Sequence, residues 1–403
     1  MARKTTAQRA IDGGMRMRLA FEDGELKVLS VLREEAGRVI ELPGPMAVYD
    51  SSSFEKRIDA LAQEIRGEAM RIAQEVLADA YESVANEIEA FADEMQRLDE
   101  EASAALDMDL AAAEDWARAE AEAYAGSDAA AEQAEAREAI AKVQYEVDAS
   151  IQSGIRHMRR DADDVYRQII DAARDTREAE WSTLRKASKD ALDAFADRGV
   201  TGFTDRAGRR WGLPEYADMA MRTGIQRAAL AATVSSMQRW GMDLCFVNRH
   251  MGCCPKCAKW QGVILSLRGT GGHPSLDDAM ADGLFHPNCG HVLQVYLEGY
   301  SEPGLGVPEG YEEADNADLY ARRQRQRMME REVRRWKRRQ AAAASPQDER
   351  IAHAHVQLWQ KRIREHIGTD VNLPRRYDRE GGRVLLSDAA KELKPAKLGF
   401  QQT

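Results

Sequence analysis

The sequence predicts a predominantly helical α+β protein in which long α-helical arms flank a small α+β module. Three observations predict it. Apolar residues recur at helical spacing over most of the chain, strand-like runs are concentrated in residues 199–300, and aromatic side chains make up only 6% of 403 residues. With 8 Phe, 7 Trp and 11 Tyr, the interior must be filled by Ala, Leu, Ile, Val and Met, which suits thin helices and argues against a thick β core. The length is that of two or three domains. No run of about 18 apolar residues occurs, and the basic N-terminus is followed by no apolar stretch, so neither a membrane span nor a secretory leader is expected.

Residues 1–50 show no sustained period and are punctuated at Gly13-Gly14 and Pro43-Gly44-Pro45, which predicts an extended arm, with a short strand over Glu25–Leu32. At Ser52 the pattern changes. Ser52 and Glu55 have the spacing of a capping box, and Ile58, Leu61, Ile65, Ala69, Ile72, Val76, Ala80, Val84, Ile88, Phe91, Met95 and Leu98 follow at about 3.6 residues per step. This stripe is an ordinary long helix more than a strict heptad. Gly126-Ser127-Asp128 offers a break, and a second stripe runs through Ile155, Met158, Ala162, Val165, Ile169 and Ala173 to Leu184, Ala191 and Phe195. Residues 51–198 therefore read as a helical hairpin, either self-packed or presented to a coiled-coil partner.

From Gly199 the chain has Gly-rich turns and a short hairpin signal, then a helix with Pro214 in its first turn continuing to about Trp240. Asp243–Asn248, Gln261–Leu267 and His291–Leu297 read as strands. The stretch 301–310 is a Pro/Gly linker, with helices expected near Leu319–Ala344 and Asp348–His366 and a polar tail beyond Gly368.

Charge divides the chain unevenly. Residues 54–150 carry 26 acidic against 8 basic side chains, a local net of −18 within an overall −11. Residues 321–340 carry 10 Lys and Arg against 2 Glu, a local net of +8. Those ten are Arg322, Arg323, Arg325, Arg327, Arg331, Arg334, Arg335, Lys337, Arg338 and Arg339. Such an array can release counterions from DNA without reading sequence, or pair with the acidic arm or an acidic protein surface. His353, His355 and His366 do not share one face of the following helix and read as surface or packing residues.

The chemistry lies in the cysteines. All five, Cys245, Cys253, Cys254, Cys257 and Cys289, fall in one short segment, which is wrong for a disulfide scaffold and right for a metal. Cys254-Pro-Lys-Cys257 can grip one tetrahedral cation, and His286-Pro-Asn-Cys289-Gly-His291 supplies the other half of a cage. Soft and borderline donors favour Zn2+. Cys254, Cys257, His286 and Cys289 are the expected ligands, with His291 the alternative to His286. Cys253 and His250 are further candidates, and Cys245 reads as a buried thiol in a strand. A full Cys/His set leaves no open position for water, so the site is expected to be structural. The H-x-E and P-C-x-x-C signature of nucleoside deaminases is absent. A zinc-supported nuclease with His286 as base is the enzymatic alternative.

The run GFTDRAGRRWGLPEYADMAMRT (202–223), CPKCAKWQGVILS (254–266) and GLFHPNCGHVLQVYLEG (283–299) resemble the phage minor capsid protein 2 family and, more distantly, head-morphogenesis proteins of the Mu F type. The matching residues are Arg209, Trp211, Tyr216, Met219, Arg222 and Thr223, then Cys254, Cys257, Trp260, Gln261 and Gly262. The closing loop adds His286, Pro287, Asn288, Cys289 and His291. One departure is Gly290, where related sequences usually have Arg. The resemblance implies a non-enzymatic virion component of a tailed bacteriophage, several copies per particle, made in the host cytoplasm and seated in the capsid interior or at the portal vertex. Its implied partners are the portal protein and/or the major capsid protein. Packaged double-stranded DNA is a further expected partner, and the alternative function is that of a DNA-associated zinc protein packaged or ejected with the genome.

Overall fold

The computed structural model describes residues 6–41, 52–105, 129–175, 181–204, 210–299, 301–382 and 384–393. In chain order the elements are α1 (Thr6–Glu41), α2 (Ser52–Ala105), α3 (Ala129–Asp175), α4 (Trp181–Arg198), β1 (Thr201–Thr204), β2 (Arg210–Gly212) and α5 (Leu213–Arg239). They continue as β3 (Leu244–Val247), α6 (Pro255–Ala258), β4 (Ile264–Ser266), α7 (Leu276–Ala281), β5 (Leu293–Val295), α8 (Glu313–Ala341), α9 (Pro346–Ile367) and α10 (Asp388–Glu392), with a 3-10 turn at Tyr377–Glu380. Helix dominates and the β content is small, as the low aromatic content implies. Among the described residues no helix is long and apolar enough to cross a membrane.

The chain forms two compact units. One comprises Met1–Gly13, Ala73–Val147 and Ala220–Asp318, the other Gly14–Ile72, Asp148–Met219 and Leu319–Thr403. In the first, the antiparallel sheet β4-β3-β5 pairs Cys245 with Leu265 on one side and with Val295 on the other. Met237, Cys245, Val247, Cys257, Leu265, Leu276, Ala279, Leu284 and Leu293 make its core, and Val84 and Ile88 of α2 pack with Ala229 and Ala232 of α5. All three strands fall inside the runs expected for them.

In the second unit, α2 buries Ile58, Ile65, Ala69 and Ile72, and α3 buries Ile155, Met158, Ala162, Val165 and Ile169. Phe54 stacks on Tyr166 at 4.1 Å between ring centroids. The β1-β2 hairpin pairs Phe203 with Trp211 and leads into α5, where Pro214 occupies the first turn. The break expected at 126–128 lies outside the described residues, and Ala173 and Leu184 of the second stripe fall in α3 and α4.

The first 50 residues depart from expectation. In place of an extended arm with a strand at 25–32, residues 6–41 are one continuous helix. Two features hid it. Gly13 and Gly24 are not loop punctuation but points of close approach: a Cβ on Gly13 would stand 2.6 Å from Ile225 Cδ1 and 2.7 Å from Val76 Cγ1, and one on Gly24 would overlap the Ile65 side chain. Its inner face also carries charges, Arg18, Glu22, Glu25 and Glu35, which interrupt the buried apolar positions Met17, Phe21, Val28, Leu32 and Ala36.

Of the buried charges of α1, Glu22 and Glu25 are answered by α8, whereas Arg18 meets Asp378 and Glu35 meets Arg57. Arg334, buried, donates to Glu215 at 2.5 Å and approaches Glu22 at 3.6 Å. Glu25 accepts from the Val200 amide at 2.5 Å and faces Arg338 at 3.6 Å. Asp197, at the end of α4, receives both Arg335 and Arg339, with Nη2 of the latter at 2.6 Å. Lys337 and Arg338 donate to the carbonyls of Gly381 and Ala196 at 2.9 and 2.8 Å. The basic stretch was expected to meet DNA, an acidic protein surface or the acidic arm at 54–150. Its C-terminal half instead finds partners in α1, α4, α5 and the tail.

Helix α8 packs on α9 through Met329, Val333, Val356 and Ile363. His355, read as a surface or packing residue, stacks on Trp336 at 3.7 Å between centroids.

Burial pushes the Glu22 carboxyl up from 4.5 to about 7, against the pull of Arg334 and Arg18 and with a further push from Glu215 and Glu25. An acid whose folded-state pKa is raised favours folding as it takes up its proton. Stability is therefore gained as pH falls from about 7 toward 4.5 and is forfeited above 7. Thermal unfolding of Glu22→Gln is expected to show relief of up to about 3 kcal/mol at pH 8 that shrinks toward pH 5. Gly24→Leu is expected to cost about 1–3 kcal/mol by overpacking against Ile65. Gly37→Ala, where a Cβ meets nothing within 4 Å, is expected to stabilise by up to about 1 kcal/mol.

Candidate metal centre

The first half of the centre is a helical turn. Cys254 is the N-cap of α6 and its carbonyl accepts from the amides of Cys257 and Ala258 at 3.2 and 3.1 Å, while the Trp260 amide returns to the Cys257 carbonyl at 3.0 Å. Pro255 occupies the first turn, where its missing N–H costs nothing. This winding points two side chains three residues apart to one side.

The second half is a tight turn. The Cys289 amide donates to the His286 carbonyl at 2.9 Å, with Pro287 and Asn288 between them and Asn288 at φ 67°. Proline in the second position and a left-handed Asn in the third are the residues a type II turn requires. The letters H-P-N-C thus specify the backbone that brings His286 and Cys289 together.

Side chains from neighbouring elements hold the two turns in place. Gln226 of α5 donates to the His291 carbonyl at 2.8 Å, and Thr223 accepts from the Asn288 amide at 3.4 Å. Gln261 accepts from the His250 amide at 2.7 Å, and Asn248 from the Val292 amide at 2.7 Å. Asn316 clamps Cys253 from both sides, accepting from its amide at 2.9 Å and donating to its carbonyl at 3.1 Å. Thr223 and Gln261 carry a reason for standing in the matched motifs. Gln226, Asn248 and Asn316 were missed, because single amides bonding to remote backbone leave no spacing signal.

The turns meet as two overlapping triads, Cys254–Cys257–His286 and Cys257–Cys289–His291, the ligand atoms of each lying within 4.8 Å of one another. Cys254 Sγ stands 2.9 Å from His286 Nε2, Cys257 Sγ 3.6 Å from Cys289 Sγ, and Cys289 Sγ 3.4 Å from His291 Nδ1. Two thiolates on one tetrahedral zinc, at about 2.3 Å each, stand about 3.8 Å apart, so the Cys257–Cys289 separation suits a shared ion. All four expected ligands and the alternative His291 lie in this cluster. His250 lies beside it, its ring 4.3 Å from that of His291, and Cys253 belongs to neither triad.

The electrostatics suit a cation. The hydrogen bond from Cys257 holds the Cys289 thiol down to about 3, with burial opposing and His291 assisting. Burial opposes ionisation of Cys254, but His286 and the Cys257 amide outweigh it and lower its pKa. Cys257, bonded to Cys289 and buried beside two sulfurs, is pushed up. A cluster that stores thiolate next to imidazole is poor in compensating positive charge, which a divalent ion supplies. Cys245 has no such company: in β3, with its thiol toward the Leu265 carbonyl at 3.5 Å, it is pushed up to about 12 by burial, with Asp243 adding to the rise.

Other matched positions are structural. Trp260 Nε1 donates to Asp282 at 3.0 Å, and Tyr216 donates to Ser150 at 3.3 Å. Arg209 lies outside the described residues. A Cβ on Gly290 would stand 3.3 Å from His250 Nε2, so the departing position faces the His250 ring.

Among curated proteins, the chain is 26% identical over 229 residues to a structural protein of Lactococcus phage LL-H, a match covering 54% of this chain and 61% of that one. It is 33% identical over 101 residues to a structural protein of Lactococcus phage mv4, covering 23% of this chain and 76% of that one. The chain thus spans about three-fifths of the length of the LL-H relative. No solved structure matches it. The model of the family described as phage minor capsid protein 2 matches residues 62–368, a span that takes in the whole cysteine cluster. By that match, over well more than half of its length, the chain belongs to the phage minor capsid protein 2 family.

Proposed function

We propose that the protein is a low-copy structural component of a tailed-phage head, seated at the portal or the inner capsid surface and stapled by one structural Zn2+. Residues 199–300 are its working module and the helices of 51–198 its stem. The observation that carries this reading is the coincidence of the family match with two cysteine-bearing turns whose ligand atoms converge. Cys254, Cys257, Cys289 and His286 are the ligands, and His291 is the alternative to His286. Both triads consist only of thiols and imidazoles, which suits zinc and supplies no carboxylate for a second, catalytic ion. His286 engages Cys254 through Nε2 and the Pro287 carbonyl through Nδ1, so neither nitrogen is turned to a substrate as a general base would be. A structural role is therefore favoured over nuclease chemistry. The portal or major capsid protein is the partner class that membership in a capsid family supports.

Elemental analysis of the purified chain is expected to give one zinc per chain. Cys257→Ser, which removes the ligand shared by both triads, is expected to abolish binding and lower Tm by about 10 °C. Comparing His286→Ala with His291→Ala assigns the fourth ligand: zinc is expected to be lost in the first and kept in the second. Metal-dependent DNA cleavage that disappears in His286→Ala would overturn the structural reading. Quantitative mass spectrometry of purified particles is expected to find a few copies per portal, and absence from mature virions rules out the virion role.

A further inference from the structure

The basic stretch is split by its environment. Arg334, Arg335, Lys337, Arg338 and Arg339 are engaged with carboxylates and carbonyls of their own unit. Arg325, Arg327 and Arg331, toward the other end of α8, are exposed. Helix α9 runs back along α8, and its C-terminal end lies beside the N-terminal half of α8, where His366 Nε2 meets the Arg322 carbonyl at 3.1 Å. That end of α9 adds exposed Lys361, Arg362 and Arg364. Six exposed cations thus lie along this stretch of the two packed helices. Carboxylates stand nearby: buried Glu330 interacts with Arg327, and Asp370 meets Arg322 at 3.4 Å. Glu365 pairs with Lys361 at 3.7 Å with both side chains more than 60% exposed, an arrangement that screens to little.

We propose that this end of the α8–α9 hairpin is a sequence-independent contact surface for the phosphate backbone of double-stranded DNA. Two features favour DNA over an acidic protein. A protein interface is built around a desolvated apolar centre, and the exposed large apolar side chains here, Met328 and Val371, are single groups on separate elements. A phosphate contact needs no such centre, only guanidinium and ammonium groups on a stiff support. The Trp359 ring, over which the Arg362 guanidinium lies at 4.5 Å, braces one of those groups toward the surface. The surface is narrower than the charge run suggests, and it includes cations of α9 outside that run. It shares no residue with the metal centre, so it stands or falls apart from it.

The test uses the full chain and a mixed-sequence DNA duplex followed by fluorescence anisotropy as NaCl rises. Binding is expected to weaken linearly in log salt and to be indifferent to the sequence of the duplex. The triple variant Arg325→Ala, Arg331→Ala, Arg362→Ala is expected to lower the slope by about 0.9 for each charge removed. The corresponding Lys triple is expected to retain the slope, which separates charge from any effect on folding. Arg335→Gln, inside the Asp197 pair, is expected to leave the slope unchanged. Absence of binding at low salt overturns the proposal, as does a slope that the triple variant does not move. Loss of the triple variant from particles without any DNA affinity would likewise overturn it and assign the patch to an acidic protein surface.

Discussion

The small α+β region depends on two turns, separated by 28 residues, arriving at the same place. Its sheet has three strands of three or four residues each, too few ladder bonds to hold loops of such length by themselves. The convergence is instead enforced from outside the sheet. Amide side chains on α5, on the loop after β3 and at the start of α8 satisfy backbone groups that flank both turns, at His291, Val292 and Cys253. A buried backbone amide or carbonyl without a partner costs about 1–3 kcal/mol, so each of these side chains restrains its turn as well as bonding to it. The thiols and imidazoles then face one another at distances set by that frame.

The second unit solves a different problem. Its long helices carry few bulky apolar groups, and the interior of α1 and α8 holds guanidinium and carboxylate side chains as well as Leu and Phe. Burying such charges is tolerable only when each meets an opposite charge or a carbonyl, and Arg334 meets both Glu215 and the Arg379 carbonyl. The arrangement is demanding and specific: Asp197 receives two arginines one helical turn apart, which fixes the rotation of α8 against the end of α4. The same rotation leaves Arg325 and Arg331 on the outer face. The internal pairing and the external patch are two consequences of one helix orientation.

The stripes at Ile58–Ile88 and Ile155–Ile169 were legible because their inward positions are apolar and the period is unbroken. The three strands were legible as short apolar runs between turn signals, whereas the segment His286–Cys289 was read only as half of a ligand cage, its turn being given by the left-handed Asn288 of the structure. Helix α1 was illegible. Its inward face mixes Arg18, Glu22 and Glu25 with Met17, Phe21, Val28 and Leu32, and Gly13 and Gly24 mark contact with residues 41 or more positions away. Charges and glycines set into the stripe read as a solvated, broken segment.

The sequence by itself determined the chemistry available: which donors sit in C-x-x-C and H-x-x-C-x-H spacing, how many cations the basic run holds, and that the chain would be mostly helix. Those properties follow from residue type and from spacing within a few turns of backbone. Only the tertiary structure decided which of those groups meet. It drew Cys257 toward Cys289, turned half of a basic helix inward onto acids from three other segments, and left the other half beside the cations of α9. The physical reason is that burial and pairing are properties of the space between elements, and a charge has the same letter whether it faces water or a buried partner.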